Sequence, residues 1–520
     1  MATTATAESN DPGATHLERG LGALDATTMV VGSMIGSGIF LASAESSRLV
    51  GAPGWLLAAW ALAGLLTITG ALCCAELAAM MPRAGGQYVF LREAYGPALG
   101  FLFGWSLFLV IQTGTVAAVA VAFARFTGVL APWVSSGNYL VPPFRLTEGY
   151  AVSLSTEQLV AVGLILLLTF TNTLGLKTGR LIQNTFTFTK TAALAGLIVV
   201  GLAFGWSRAS AAYTSDWWNP WANGWTPEGA QAGVGAAGAL ALVMLVGRAM
   251  TGPLFAQSAW NNVTFTGSEV RDPARNLPRA LLIGCAVVVG LYLLANLAYV
   301  VTLPLGVMQR PPNSIATATV SQALGPFGVT LMAAAVMVST FGCNNGLILA
   351  GARVTYAMAC DRLFFRGAAR LNARHVPAFA LVMQGLWAAL LTLPRTVTAT
   401  ADPAAGTVNY AYGNVYTQLL EYIIPADLVF YVLMVGAVFV LRRKAPDAPR
   451  PYRTPGYPLV PVVYVLLATL LTLDLVYLAP RTSGLGFLLV LTGLPVYFAW
   501  RKNSRQEADG RRQLKGKNLP

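Results

Sequence analysis

Two apolar runs of this chain carry residues that a membrane helix does not hold in regular winding. One is Gly32-Ser33-Met34-Ile35-Gly36-Ser37-Gly38-Ile39-Phe40; the other is Phe255-Ala256-Gln257-Ser258-Ala259-Trp260-Asn261-Asn262. Backbone unwound in hydrocarbon exposes N–H and C=O groups that lipid leaves unsatisfied. Such a stretch persists only where a ligand, an ion or another part of the protein takes those groups up. The chemistry on offer is therefore binding: amides at a half-helix N-terminus for an anionic group, freed carbonyls for a cation. Matched breaks in two halves of a polytopic chain point to the binding site of a transporter.

A second set of candidates consists of ionisable and amide side chains inside apolar runs. Lys190 lies about nine residues, or ~13 Å, into its run, and a charge placed so deep is a functional candidate by default. Glu421 and Asp427 flank Pro425 in a late run, and Arg248 sits on the outer half of the run holding the second break. A pairing of Arg248 with either carboxylate across an outer vestibule would act as a gate; a fixed structural pair is the alternative. Asn344 and Asn345 either face the site beside Lys190 or pack, and Gln257 lies within the second break itself. Glu76 and Glu269 are expected to organise inner loops against arginines. The two histidines, His16 and His375, lie outside the apolar runs, and the five cysteines (73, 74, 285, 343, 360) lie in or at the ends of them. No zinc spacing, no Walker A run and no nucleophile–base arrangement is present, so neither a metal, a cofactor, ATP nor enzymatic chemistry is expected.

The elements that must position these residues follow from composition. The chain is 55% hydrophobic and 11% charged, against about 25% charged for a soluble domain. Twelve runs reach the length needed to cross a bilayer: about 26–50, 54–80, 97–130, 156–175, 182–206, 233–263, 279–302, 328–359, 377–394, 412–441, 458–479 and 483–500. The first is too long for a signal-peptide core and lacks a basic flank. The net charge of +13 is topological rather than a nucleic-acid footprint. With the N-terminus in the cytoplasm, the large majority of basic residues fall in inner loops and the C-terminal tail; Arg48, Arg145, Arg208, Arg310, Arg395 and Arg481 fall outside. That bias predicts a multi-pass protein of the plasma or inner membrane with both termini cytoplasmic. Spans 1–5 and 6–10 form two units, each opening on its broken run. Five spans is an odd number, so the second unit must be inverted. The organisation is a disordered tail over 1–20, a first repeat over 21–210, an inverted repeat over 211–441, a two-span appendix over 442–501 and a basic tail over 502–520.

A series of motifs carries a resemblance. Gly36-Ser37-Gly38-Ile39-Phe40, then Glu76-Leu77 with Pro82-Arg83-Ala84-Gly85-Gly86-Gln87-Tyr88 and Glu93-Ala94-Tyr95-Gly96, come first. Gln183 with Lys190 follows, then Trp260-Asn261, Glu269-Val270 and Asn276-Leu277-Pro278-Arg279-Ala280. Phe341-Gly342 with Asn345-Gly346 and Ala352-Arg353, and Leu441-Arg442-Arg443-Lys444 with Arg450-Pro451-Tyr452, complete it. In this order and spacing they resemble the amino acid–polyamine–organocation superfamily, most closely its L-type amino acid transporter branch, from about Leu21 to Arg501.

The resemblance implies an all-α membrane fold of the LeuT-like 5+5 inverted-repeat type, with helices 1 and 6 unwound at mid-membrane. It places a substrate carboxylate on the amides of Ser37 and Gly38, and an ammonium on carbonyls of Met34, Ile35, Phe255, Ala256 and Ser258. Phe255 matches an aromatic that closes over substrate, and Lys190 the ammonium that replaces sodium between the first and eighth helices. Gln257, Ser258 and Ala259 stand where the family shows a Tyr and two glycines, which re-tunes the side-chain pocket. The loop 131–155 lacks the cysteine that binds a heavy-chain partner in animal members, so no disulfide-linked subunit is expected. The function so implied is sodium-independent exchange of neutral amino acids by alternating access. Proton-coupled symport is the runner-up, and a cationic amino acid or polyamine transporter using Asp427 is a further alternative. A channel would need rings of like charge or carbonyls, and a nutrient sensor a folded cytoplasmic domain; neither is visible.

Overall fold

The computed structural model describes residues 17–310, 314–402 and 407–501. Apart from residues 17–20, the two polar tails fall outside them. Glycine and serine interrupt the first apolar run where expected. Helix α1 (Ala23–Met34) ends before Ile35-Gly36-Ser37, and α2 (Gly38–Val50) resumes at an angle of 41°. Helix α3 (Pro53–Met80) is followed by a short, largely buried helix, α4 (Gln87–Tyr95). Helices α5 (Pro97–Ser106) and α6 (Gln112–Leu130) run as one span through a π-turn, and α7 (Thr156–Thr173) and α8 (Leu176–Phe204) complete the first half.

The second half opens on α9 (Gly238–Ala249) and α10 (Thr251–Ala256), then unwinds over 257–261 before the single turn α11 (Asn262–Phe265). Helices α12 (Pro273–Thr302), α13 (Ile315–Cys360, kinked where Gly325 turns to φ +57°), α14 (Ala378–Leu390) and α15 (Val415–Lys444) follow. Helices α16 (Leu459–Leu478) and α17 (Pro480–Leu491) close the chain.

Among the described residues, ten helices are long and apolar enough to cross a bilayer, and the bent α1–α2 pair makes an eleventh. The expected ninth span, 377–394, holds α14 of only 13 residues, or about 20 Å at 1.5 Å per residue, short of the ~30 Å hydrocarbon thickness. Its run ends early because Pro394 enters a strand. That strand belongs to an unforeseen feature of an otherwise helical fold: an antiparallel sheet in the order β1 (Tyr139–Arg145), β2 (Tyr150–Ser155), β3 (Pro394–Asp402), β4 (Thr407–Asn414). The sheet ties the loop before α7 to the loop before α15. Arg395 is buried there and donates to the hydroxyls of Ser153 (3.1 Å) and Ser155 (2.9 Å).

The opposite, arginine-rich end is fastened by ion pairs, one of them buried on both sides. Arg353 of α13 grips Glu269 through two 3.0 Å hydrogen bonds, both side chains almost fully enclosed. Arg442 does the same to Glu76 (2.9 and 2.7 Å), and Arg92 and Tyr88 meet Asp361. These loop contacts are what the positions of Glu76 and Glu269 led us to expect. Asp25 in the first turn of α1 takes Asn184 (2.7 Å) and Arg180 (3.4 Å) of α8. Main chain is joined here too: Leu21 pairs in parallel with Val270, and Ala84 antiparallel with Thr266.

Candidate functional site

The end of α1 leaves carbonyls with no partner inside the helix, and the surrounding helices supply donors. Lys190 Nζ of α8 donates to the carbonyls of Gly32 and Ile35 (2.7 Å to the latter) and, more loosely, to Ser339 O of α13 (3.4 Å). Its three N–H bonds thus face three carbonyls, between the first broken helix and α13. Cys343 Sγ takes Ser33 O (3.1 Å), and Tyr292 OH of α12 faces Met34 O (3.0 Å). Ser339 Oγ lies 3.2 and 3.1 Å from Ile35 O and Gly36 O. Every carbonyl from Gly32 to Gly36 therefore has a side-chain partner drawn from α8, α12 or α13. The carbonyls of Met34 and Ile35, assigned by resemblance to an ammonium, already accept protein hydrogen bonds. Each keeps a second lone pair for a ligand.

The second break is built differently. Ser258 folds back so that its N–H (3.1 Å) and Oγ (2.7 Å) both donate to Phe255 O. Ala259 then turns the chain with φ +64°, a left-handed conformation that glycine adopts at lower cost. Ala256 O faces Tyr292 OH at 3.2 Å. That one hydroxyl stands between the carbonyls of both breaks. The breaks also touch directly: a Cβ on Gly38 would stand 2.6 Å from Ala256 Cβ, so only glycine lets the N-terminus of α2 come this close.

Beyond the second break lies a cavity of about 40 Å³ between α3, α10, α15 and α16. Its polar lining is Thr67, Gln257, Ser258, Asp427, Tyr431 and Tyr464, with Phe255 and Trp260 among its apolar walls. Gln257 is 1% exposed; its Nε2 reaches Trp60 O at 3.4 Å, while its Oε1 has no hydrogen-bond partner.

Other candidates fall elsewhere. Asn345 is held by Gly179 O (3.1 Å), Gln183 Oε1 (3.0 Å) and Asn172 Nδ2 (3.0 Å), a polar tie among α7, α8 and α13. Asn344 addresses the backbone of α6 at Val116 and Ala120 once its amide is turned to match. Both side chains are buried and meet the neighbouring helices. Arg248 has Asp474 of α16 as a charged neighbour, whereas Asp427 sits among Tyr431 and Tyr464. The side chain of Glu421 lies outside the described residues. Among the described residues no cluster fit for a metal occurs.

Sequence reading missed Tyr292, Ser339 and Cys343. A signal for the first existed: Tyr292, Asn296 and Tyr299 recur at helical spacing on one buried face of α12. Asn296 accepts from Ser43 Oγ (2.6 Å), and Tyr299 donates to Ile39 O (3.2 Å).

A multi-pass helical membrane protein with two interrupted helices packed break to break is the architecture of a solute carrier. The family model for amino acid permeases matches residues 21–498, and the chain belongs to that family. It is similar to the large neutral amino acids transporter small subunit 2 of Mus musculus, 30% identical over 94% of this chain and 82% of the relative. It is also similar to the serine/threonine exchanger SteT of Bacillus subtilis (28%; 94% and 98% covered). The b(0,+)-type amino acid transporter 1 of Homo sapiens shares 28% identity over 94% of this chain and 90% of its own length.

Proposed function

We propose that this chain exchanges neutral L-amino acids across a membrane without sodium, by alternating access around the two breaks. The observation that carries the reading is the Lys190 ammonium, seated on the carbonyls of Gly32, Ile35 and Ser339. A cation fixed on these carbonyls occupies the place a mobile sodium ion would need, so the sodium gradient has no purchase there. The relatives named above, which include large neutral amino acid transporters and a serine/threonine exchanger, support the substrate class. In this reading the amides of Ser37 and Gly38 at the head of α2 receive the substrate carboxylate. Carbonyls of Phe255, Ala256 and Ser258, with the second lone pairs of Met34 and Ile35, receive its ammonium, and Phe255 closes the site.

The same reading takes 21–210 and 211–441 as inverted repeats, 442–501 as an appendix, α14 as the ninth of twelve spans, and both termini as cytoplasmic in a plasma or inner membrane. Arg248 guards the outer approach with the carboxylates around it. No covalent step and no disulfide-linked subunit is involved. In support of the latter, the loop 131–155 holds no cysteine and its strands are hydrogen-bonded into the protein's own sheet.

The test is uptake of labelled alanine, serine and leucine by purified protein in sodium-free liposomes, with arginine as control. Uptake confined to vesicles preloaded with unlabelled neutral amino acid is the expected result. Uptake into empty vesicles driven by a pH gradient makes the protein a symporter, and transport of arginine alone overturns the reading.

A further inference from the structure

The cavity behind the second break has a chemistry of its own. Gln257 Oε1 is buried without a partner and lines it. The carboxylate of Asp427 lines it as well. The Tyr431 hydroxyl is within reach of Asp427 and also 3.0 Å from Asn261 Oδ1, but it has one proton to give. Asn261 cannot turn its amide to offer a donor instead, since its Nδ2 is spent on Gln87 Oε1 (2.6 Å), and Gln87 Nε2 on Phe430 O (3.2 Å). That hydroxyl is thus shared between two acceptors, and Gln257 Oε1 remains without a partner. A buried acceptor left unpaired bears the cost of its lost hydration, so the native cavity calls for a group that brings donors.

Size limits what that group can be. A water occupies about 10–15 Å³ on this measure, so about 40 Å³ holds roughly two to four non-hydrogen atoms. A hydroxymethyl, hydroxyethyl or carboxamide group fits. An isobutyl group fills the space but leaves the acceptors unpaired. The butylammonium of lysine and the guanidinium arm of arginine exceed it.

We infer that Gln257 and Asp427 form a side-chain subsite selecting neutral amino acids whose side chains donate hydrogen bonds: serine, threonine and asparagine. This rests on the exchange reading above and deepens it. The substrate backbone sits at the breaks, and its side chain passes Phe255 and Ser258, which belong to both the break and the cavity wall. Selection works by rejection: an analogue lacking the donor leaves the acceptors unpaired, a stronger discriminator than a missing methylene.

The experiment is counterflow in proteoliposomes, comparing kcat/KM for serine with alanine, which differ by one hydroxyl, and for asparagine with leucine, which match in shape. The expected result is a serine-over-alanine preference of about tenfold or more. It should collapse towards one in Gln257→Leu and in Asp427→Ala, while Gln257→Asn keeps part of it. Equal use of serine and alanine by the wild-type protein overturns the subsite but leaves neutral exchange standing. A preference that survives both substitutions also overturns it. Lysine exchange exceeding that of serine overturns it in favour of a cationic pocket. Absence of exchange with every neutral amino acid defeats the underlying function, and the subsite with it. The wild-type ratios decide the matter even if a variant fails to fold.

Discussion

The two breaks solve one problem in opposite ways. Around the first, Lys190, Tyr292, Ser339 and Cys343 reach in from three other helices and claim each carbonyl from Gly32 to Gly36. Around the second, the chain mends itself locally: Ser258 bonds back to Phe255, Ala259 takes the left-handed turn, and Gln257 Oε1 remains unpaired beside a cavity. A break held by distant partners moves only when those partners move. A break held by its own turn is free to adjust to what enters. The contrast assigns the first break to the mechanics of the bundle and the second to selection of the cargo.

Removing the pin of the first break is the most damaging change. Lys190→Ala orphans up to three buried carbonyls at about 1–3 kcal/mol each. Exchange should fall at least about 100-fold, with a lower melting temperature in detergent. Retention of wild-type exchange would show that the first break does not depend on its distant donors. Next comes the contact between breaks. Gly38→Ala drives a Cβ onto Ala256 and should cost about 1–3 kcal/mol, read as loss of thermal stability together with a raised KM for alanine. Tyr292→Phe deletes the one hydroxyl standing between both breaks and should cost about 1 kcal/mol, with transport lowered several-fold. An unchanged rate would mean the breaks move independently. Smallest is Ala259→Gly, which relieves the left-handed turn but loosens the unfolded chain, so stability should shift by less than about 1 kcal/mol. Its informative readout is substrate range: leucine should gain on serine as the second break relaxes.

Much of this contrast was legible in the sequence. Glycine and serine inside an apolar run mark the first break because no other residues there leave a helix so readily. Lys190 stood out because a charge in a span demands a reason. What stayed hidden were the partners. Ser339 and Cys343 are unremarked small residues in a long apolar helix, and only folding brings them to Ile35 and Ser33. The gate pairing drawn between Arg248 and either Glu421 or Asp427 meets the same limit: hydropathy gives depth along a helix but not which neighbour it faces, and Asp474 of α16 is a further carboxylate near Arg248. The sheet was obscured for two reasons. Its strands come from loops more than two hundred residues apart, and Pro142-Pro143 argues against a strand. The order β1-β2-β3-β4 puts that segment at an edge, where proline is tolerated.

The main-chain seam at the arginine-rich end has a consequence for how the transporter tolerates change. Leu21 donates to Glu269 O (2.9 Å) and accepts from Arg271 N (2.8 Å), stitching the approach to α1 onto the segment that leaves the second break. Any residue but proline can make those stitches, so the clasp is insensitive to side-chain drift. It is also light: two backbone bonds, each worth about 1 kcal/mol net and replaceable by water once opened. Such a fastening is cheap to undo and easy to remake in register. A doorway that swings on every turnover needs both properties.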